Sequence, residues 1–193
     1  MGILRLSMGK YYTETYTNLY HGTDSASAES IKEKGFEIRG DNSSWCGKGV
    51  YFYDIKAKAY WSANRTCDAI KQTTGQKIEP SIIKVNILEL PRNDIFDLRA
   101  YNSLLEFRKW LDPQLASSKQ KVEPDDMEGM IRLRAMLIDY YAQKTRKKLV
   151  VGIFNQRPRK EYIELSDDMK KWGIVLGVET IFCVKNTSIF TIQ

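Results

Sequence analysis

One histidine and three cysteines in 193 residues leave little from which a metal centre or a disulfide framework could be built. Cys46, Cys67 and Cys183 are odd in number and widely scattered, with no CxxC pair, so neither a disulfide scaffold nor a zinc site is encoded. Reduced thiols of the cytosol fit that pattern best. No run of about 18 apolar residues occurs, which excludes a membrane-spanning helix. Met1 to Ser7 is too short and too polar for a secretory signal core. Internal repeats and low-complexity linkers are also missing. These absences predict a soluble cytoplasmic chain, residues 1–193 forming one domain without metal or membrane partner.

Lys and Arg number 30 against 24 for Asp and Glu, a formal net charge of +6. The isoelectric point near 9.1 tilts the expectation toward a polyanionic partner. A solubilising surface of mixed charge has the same arithmetic, and excess charge carries no sequence information by itself.

Thr15 to Tyr20 alternates β-branched and aromatic residues and reads as a strand ending at His21. Asp24 or Ser25 can cap a short helix that Gly35 stops before an extended Phe36 to Ile38. Arg39 to Ser44 reads as an exposed loop, and Gly47 and Gly49 flank the entry to a strand Val50 to Tyr53. Asp54 can cap the next helix, roughly Ile55 to Lys71, and Ser81 to Leu88 follows as a strand. From Tyr101 to Lys148 the period turns helical, the mark of a helical insertion over about 100–148. Extended segments Leu149 to Phe154, Tyr162 to Leu165, Val178 to Val184 and Ser188 to Ile192 close the chain. The mixture is that of an α+β domain.

Two short glycine-bearing segments carry most of the chemistry, Tyr20-His21-Gly22-Thr23 and Gly47-Lys48-Gly49-Val50-Tyr51-Phe52. A histidine in an apolar strand is more often a hydrogen-bonded structural residue than a functional one. Its neighbour shifts the balance, because Gly22 lets a ligand approach the backbone while His21 can hydrogen-bond a hydroxyl. Glycines on both sides of Lys48 predict open surroundings for Tyr51, whose ring can stack on a flat ligand. Lys48 can meet a phosphate, although an exposed loop lysine is usually just solvated.

His21-Gly22-Thr23, the helix ended by Gly35, Gly47 to Phe52, then Asp54 and a helix with Lys58 and Ala59, resemble the ADP-ribosyltransferases of the poly(ADP-ribose) polymerase and diphtheria-toxin type. The resemblance is specific over Leu19 to Trp61 and beyond that rests on architecture. It implies a fold of two packed antiparallel or mixed sheets around an NAD cleft, and a histidine, a tyrosine and a glutamate on three strands. It also implies NAD+ as co-substrate: His21 on the adenosine ribose, the Gly22 backbone on the carboxamide with Thr23 and Gly49 beside it, and Tyr51 stacked on nicotinamide. Tyr60 or Trp61 would close the other face. For the glutamate two positions compete. Glu161 has the local Glu-Tyr-Ile pattern, whereas Glu179 sits on the penultimate strand, where the architecture expects it. The helix hydroxyl that contacts the carboxamide in the polymerases falls on Ala59, with Ser62 as a substitute one turn later.

The resemblance together with small size and basic charge implies a mono-ADP-ribosyltransferase, a glycosyltransferase acting as an intracellular toxin of a toxin–antitoxin or phage-defence system. Its partners would be an antitoxin protein and a single-stranded RNA or DNA acceptor, met by Lys48, Arg157, Arg159 and Lys160, with further basic residues from Arg132 to Lys148. A protein acceptor, hydrolysis of NAD+ by water and a non-catalytic NAD- or ADP-ribose-binding module stay open at this point.

Overall fold

The computed structural model describes residues 12–38, 45–117, 127–155 and 178–193. In chain order these form β1 (Thr13–Asp24), α1 (Ser25–Lys34), β2 (Val50–Tyr53), α2 (Lys56–Thr74), β3 (Pro80–Pro91), β4 (Ile95–Asp97), α3 (Tyr101–Ser117), α4 (Met127–Lys144), β5 (Leu149–Asn155), β6 (Val178–Val184) and β7 (Phe190–Ile192). The class is mixed α and β, as expected. The segment 162–165 lies outside the described residues.

Several elements differ from the sequence expectation for identifiable reasons. β1 does not end at His21 but runs on to Asp24, because β3 pairs with it throughout: His21↔Ile83, Gly22↔Ile82 and Asp24↔Pro80. Asp24 then caps α1, its Oδ1 accepting from the Ser27 N–H at 2.9 Å. Asp54 does not cap α2, whose N-cap is Ile55 with no side-chain bond. Phe36 to Ile38 is no strand. It follows Gly35, whose φ of 82° ends α1, and Phe36 is buried among the rings of His21, Phe52 and Phe190. β4 was not expected, since three residues are too few to show a period.

The seven strands make one mixed sheet in the order β4-β5-β6-β2-β1-β3-β7, in place of the two packed sheets expected. Its halves are joined narrowly: among the described residues β1 and β2 pair at Tyr20↔Tyr53. Strands from opposite ends of the order nevertheless share one core. Ile95 of β4, Leu149 and Val151 of β5, Ile83, Val85 and Ile87 of β3, and Phe190 of β7 belong to the same cluster, with Phe52 fully buried at its centre. The sheet therefore curls on itself, and a single sheet accomplishes the packing of two. Alternation sends the neighbouring positions to the outer face, where Val150, Ile181 and Cys183 pack under Ile138, Tyr141 and Ala142 of α4.

α2 covers the outer face of β1 at unusually close range. A Cβ on Gly22 would lie 1.8 Å from the Ala59 carbonyl oxygen and 2.9 Å from the Ala63 nitrogen. Ala59 and Ala63 are themselves fully buried. Glycine opposite alanines lets backbone meet backbone, and the obstacle to any larger residue is main chain that cannot rotate away. Gly22→Ala is accordingly expected to destabilise the fold by at least the roughly 1–3 kcal/mol typical of overpacked sites, read as a lower urea midpoint. A midpoint unchanged from wild type would show that α2 does not rest on β1 in this way.

Candidate functional site

Beyond Tyr20↔Tyr53 the gap between β1 and β2 is bridged by a side chain: His21 Nδ1 lies 2.8 Å from the Tyr51 carbonyl oxygen. Nδ1–H is therefore the donor, and Nε2 is left as the acceptor of a neutral ring. Burial lowers the His21 pKa from its ordinary value, against the opposing pull of the Tyr51 carbonyl. Adjacent residues of an antiparallel strand direct their backbone groups to opposite edges, so between His21 and Gly22 one residue sends its N–H and C=O toward the opening on the β2 side.

His21 lines a cleft of about 290 Å³. Thr23 stands beside it on β1; Ser27, Ser30, Ile31 and Lys34 come from α1; Gly49, Val50 and Tyr51 form the opposite wall. The hydroxyls of Thr23, Ser27 and Ser30 with the charges of Lys34 and Glu37 suit a sugar, and the apolar Ile31, Phe36 and Val50 suit a flat ring. The Asp24 cap and the Gly35 stop fix which face of α1 looks in.

Tyr51 is less open than the glycines beside Lys48 suggest. Its hydroxyl donates to the Gly47 carbonyl at 2.5 Å and accepts from the Cys46 N–H at 3.0 Å. Burial, reinforced by the Cys183 and Cys46 thiols, pushes its pKa far up, so it stays a neutral phenol. The expected open surroundings are corrected here. A Cβ on Gly47 would meet the Asp139 side chain at 2.4 Å, and one on Gly49 the Cys183 sulfur at 2.4 Å. Both glycines serve close packing. Lys185 secures the same loop, donating to the Cys46 carbonyl at 2.7 Å, the Lys48 carbonyl at 2.5 Å and Asp139 Oδ1 at 2.6 Å.

Glu179 stands on β6, the strand next to β2. It pairs with Phe154 of β5 and shares the outer face with Tyr51 and Tyr53, two residues before Ile181, the partner of Tyr53. Its carboxylate is buried and forms an ion pair with Lys58 of α2. Tyr53 lies beside it, hydrogen-bonded to Ser62, and burial raises its phenol pKa, with the Glu179 charge adding to the effect. His21 and Tyr51 are thus in contact, and Glu179 adjoins on the next strand but outside the lining of the His21 cleft. Glu161, Arg157, Arg159 and Lys160 lie outside the described residues.

Tyr60 and Trp61 are about half exposed on α2. Neither lines the His21 cleft; Trp61 instead walls a second groove with Trp45, Tyr53 and Arg65. Lys48 is exposed on the rim of a further depression with Arg146, Lys147 and Lys148. Lys58 and Tyr53 escaped assignment from sequence, although a lysine in the first turn of α2, two turns before Arg65, was a legible sign of a basic helix face.

No family profile matches the chain, and no solved structure matches it. An uncharacterized protein of Methanocaldococcus jannaschii is 28% identical over 189 residues, covering 89% of this chain and 83% of its own. Among the described residues no helix is long and apolar enough to cross a membrane, and no three or more metal-ligating side chains of the His, Cys, Asp and Glu kinds cluster.

Two outcomes follow from these contacts. His21 binds its proton less readily when folded than in the unfolded chain, where its pKa is about 6.5. The neutral ring's contribution is fully present above that pH and is lost as pH falls below it. His21 is the chain's one histidine, so the gap in unfolding free energy between wild type and His21→Gln should shrink from pH 7 to pH 5; a gap independent of pH would refute the buried neutral ring. Separately, Lys58→Met leaves Glu179 buried without its cation, at a cost of about 1–3 kcal/mol by urea unfolding. The double variant Lys58→Met, Glu179→Gln should recover most of that loss.

Proposed function

We propose that this chain is a mono-ADP-ribosyltransferase, moving ADP-ribose from NAD+ to a nucleic-acid acceptor and acting as a cytoplasmic toxin held in check by an antitoxin. The observation that carries the reading is the placement of His21, Tyr51 and Glu179 on the neighbouring strands β1, β2 and β6, with Glu179 buried and tethered by Lys58.

In such a transfer the bond between C1 of the nicotinamide ribose and the pyridinium nitrogen breaks, its electron pair leaving with nicotinamide. Positive charge grows on the ribose as the acceptor nucleophile approaches. A carboxylate fixed in a poorly hydrated position stabilises that charge better than one in water. Glu179 meets the requirement: it is 6% exposed and held from one side by a cation. The His21 cleft offers hydroxyls of Thr23, Ser27 and Ser30 to the adenosine half, with Ile31 against the base. His21 packs on the inner face of the sheet and Glu179 lies on the outer one, so in this reading the adenosine ribose would sit at the histidine and the nicotinamide ribose at the glutamate. Exposed Lys48, the residue before Gly49 of the cleft wall, would bring positive charge toward the phosphates.

Labelled NAD+ incubated separately with RNA, DNA and cell protein tests the proposal. Label should enter nucleic acid and persist through protease but not nuclease. Glu179→Gln should lower both labelling and nicotinamide release on the order of 100- to 1,000-fold, and expression of wild type but not of this variant should arrest growth. Label confined to protein, release of nicotinamide without labelled product, or NAD+ bound but unconsumed would each replace the proposal with another reading.

A further inference from the structure

The second groove, of about 550 Å³, has walls unlike those of the His21 cleft. One wall is a face of α2 carrying Trp61, Ser62, Arg65, Thr66 and, further along, Thr73; the other is Trp45 with Tyr53. Its aromatic surfaces are held rather than loose. The Arg65 guanidinium lies 5.0 Å from the Trp61 ring centroid, yet Trp61 remains 48% exposed. Trp45 rests against Phe154, with centroids 4.9 Å apart, and the Arg134 guanidinium lies over both rings. Arg65 is the charged residue of the lining, and among the described residues no carboxylate shares it. Thr66 and Thr73 donate to backbone carbonyls within α2, which leaves their oxygens as acceptors toward the groove.

Two oriented indoles, a phenol, a cation and hydroxyl acceptors match a flat heterocycle with exocyclic N–H groups linked to an anion. That is the chemistry of a nucleotide unit in an unpaired strand, where stacking supplies affinity and a positive side chain meets the phosphate. A carboxylate-free lining with an arginine repels no phosphate. We infer that this groove holds an unpaired nucleobase of a single-stranded nucleic acid against Trp61 and Trp45, with its phosphate at Arg65. Tyr53 belongs to the groove and also feels the Glu179 charge, so a base seated here is delivered beside that carboxylate. The role of the base as acceptor rests on the transferase reading; its binding does not.

The test measures binding of single-stranded RNA and DNA of about ten nucleotides, within the footprint of one single-strand-binding fold, without NAD+. Fluorescence anisotropy and tryptophan quenching are the readouts. Wild type should bind and be quenched. Trp61→Ala should weaken binding on the order of tenfold and Trp61→Phe should restore most of it, because a smaller ring still stacks. Arg65→Ala should reduce the slope of log affinity against log salt by about one. Preference for RNA over DNA, or the reverse, would identify which strand is read. Unchanged affinity in Trp61→Ala overturns the inference, as does quenching by an acidic peptide in place of oligonucleotides. NAD+ binding that depends on His21 with no oligonucleotide bound would sink the groove alone. Trp61-dependent oligonucleotide binding without any NAD+ consumption would support the groove and remove the transferase.

Discussion

The missing side chain at Gly22 sets the geometry on which both candidate sites depend. Because α2 lies directly on the β1 backbone at that point, the helix has one allowed depth and one allowed rotation against the sheet. Ala59 and Ala63 are spent on that contact, and the positions around them inherit their directions from the helical period. Lys58, one residue before Ala59, reaches Glu179. Ser62, three residues after it, reaches Tyr53. Trp61 and Arg65, four apart, fall on the groove side. Ala59 stands at its position because the helix lies too close to β1 for anything larger, and the Ser62 hydroxyl is committed to Tyr53 beside the second groove, away from the His21 cleft.

A second constraint fixes the other wall. The Lys185 ammonium has three donors and spends them on the Cys46 carbonyl, the Lys48 carbonyl and Asp139 Oδ1, while Asp139 Oδ2 accepts from Gln143. Both side chains of this pair are more than nine-tenths buried. Taking two charges from water costs several kcal/mol for each ion, and the attraction between them only partly offsets this. What the pair supplies is position: the 46–48 loop is tied to β6 and α4 at once, and Tyr51 closes it from below through Gly47 and Cys46. Trp45, the next residue along, is thereby held at the mouth of the second groove.

Much of the architecture was legible because the signals were local. Asp24 and Gly35 bracket α1, β-branched and aromatic residues mark β2 and β6, and the helical periods of 101–144 appear as α3 and α4. The glycines were legible as necessary but not in their purpose. Gly47 and Gly49 read as openings, whereas Asp139 and Cys183 fill the space beside them, and those neighbours arrive from α4 and β6, far along the chain. The same distance hid the ion pair: nothing near Lys58 announces Glu179, since their meeting depends on the register of β6 against β2 and on the depth of α2. Length of element set another limit, for β4 is defined only by its parallel pairing with β5.

The narrow join between β1 and β2 makes a buried, neutral histidine compatible with the binding role proposed for it. A fully laddered sheet would occupy the edge groups of both strands and leave His21 as a core residue among Phe36 and Phe52. With Tyr20↔Tyr53 as the pairing point, the strands separate just where His21 sits, and its ring replaces a missing ladder bond by donating to Tyr51. One imidazole nitrogen is consumed in keeping the gap at a fixed width, the other is left as the acceptor of the neutral ring, and the residue lines a cleft with Thr23, Ser27 and Ser30. In the proposed reading, structural and binding duties fall to different atoms of one side chain. Depressed basicity serves both, because a protonated ring would turn the acceptor nitrogen into a second donor and bring an unpaired charge into the aromatic cluster.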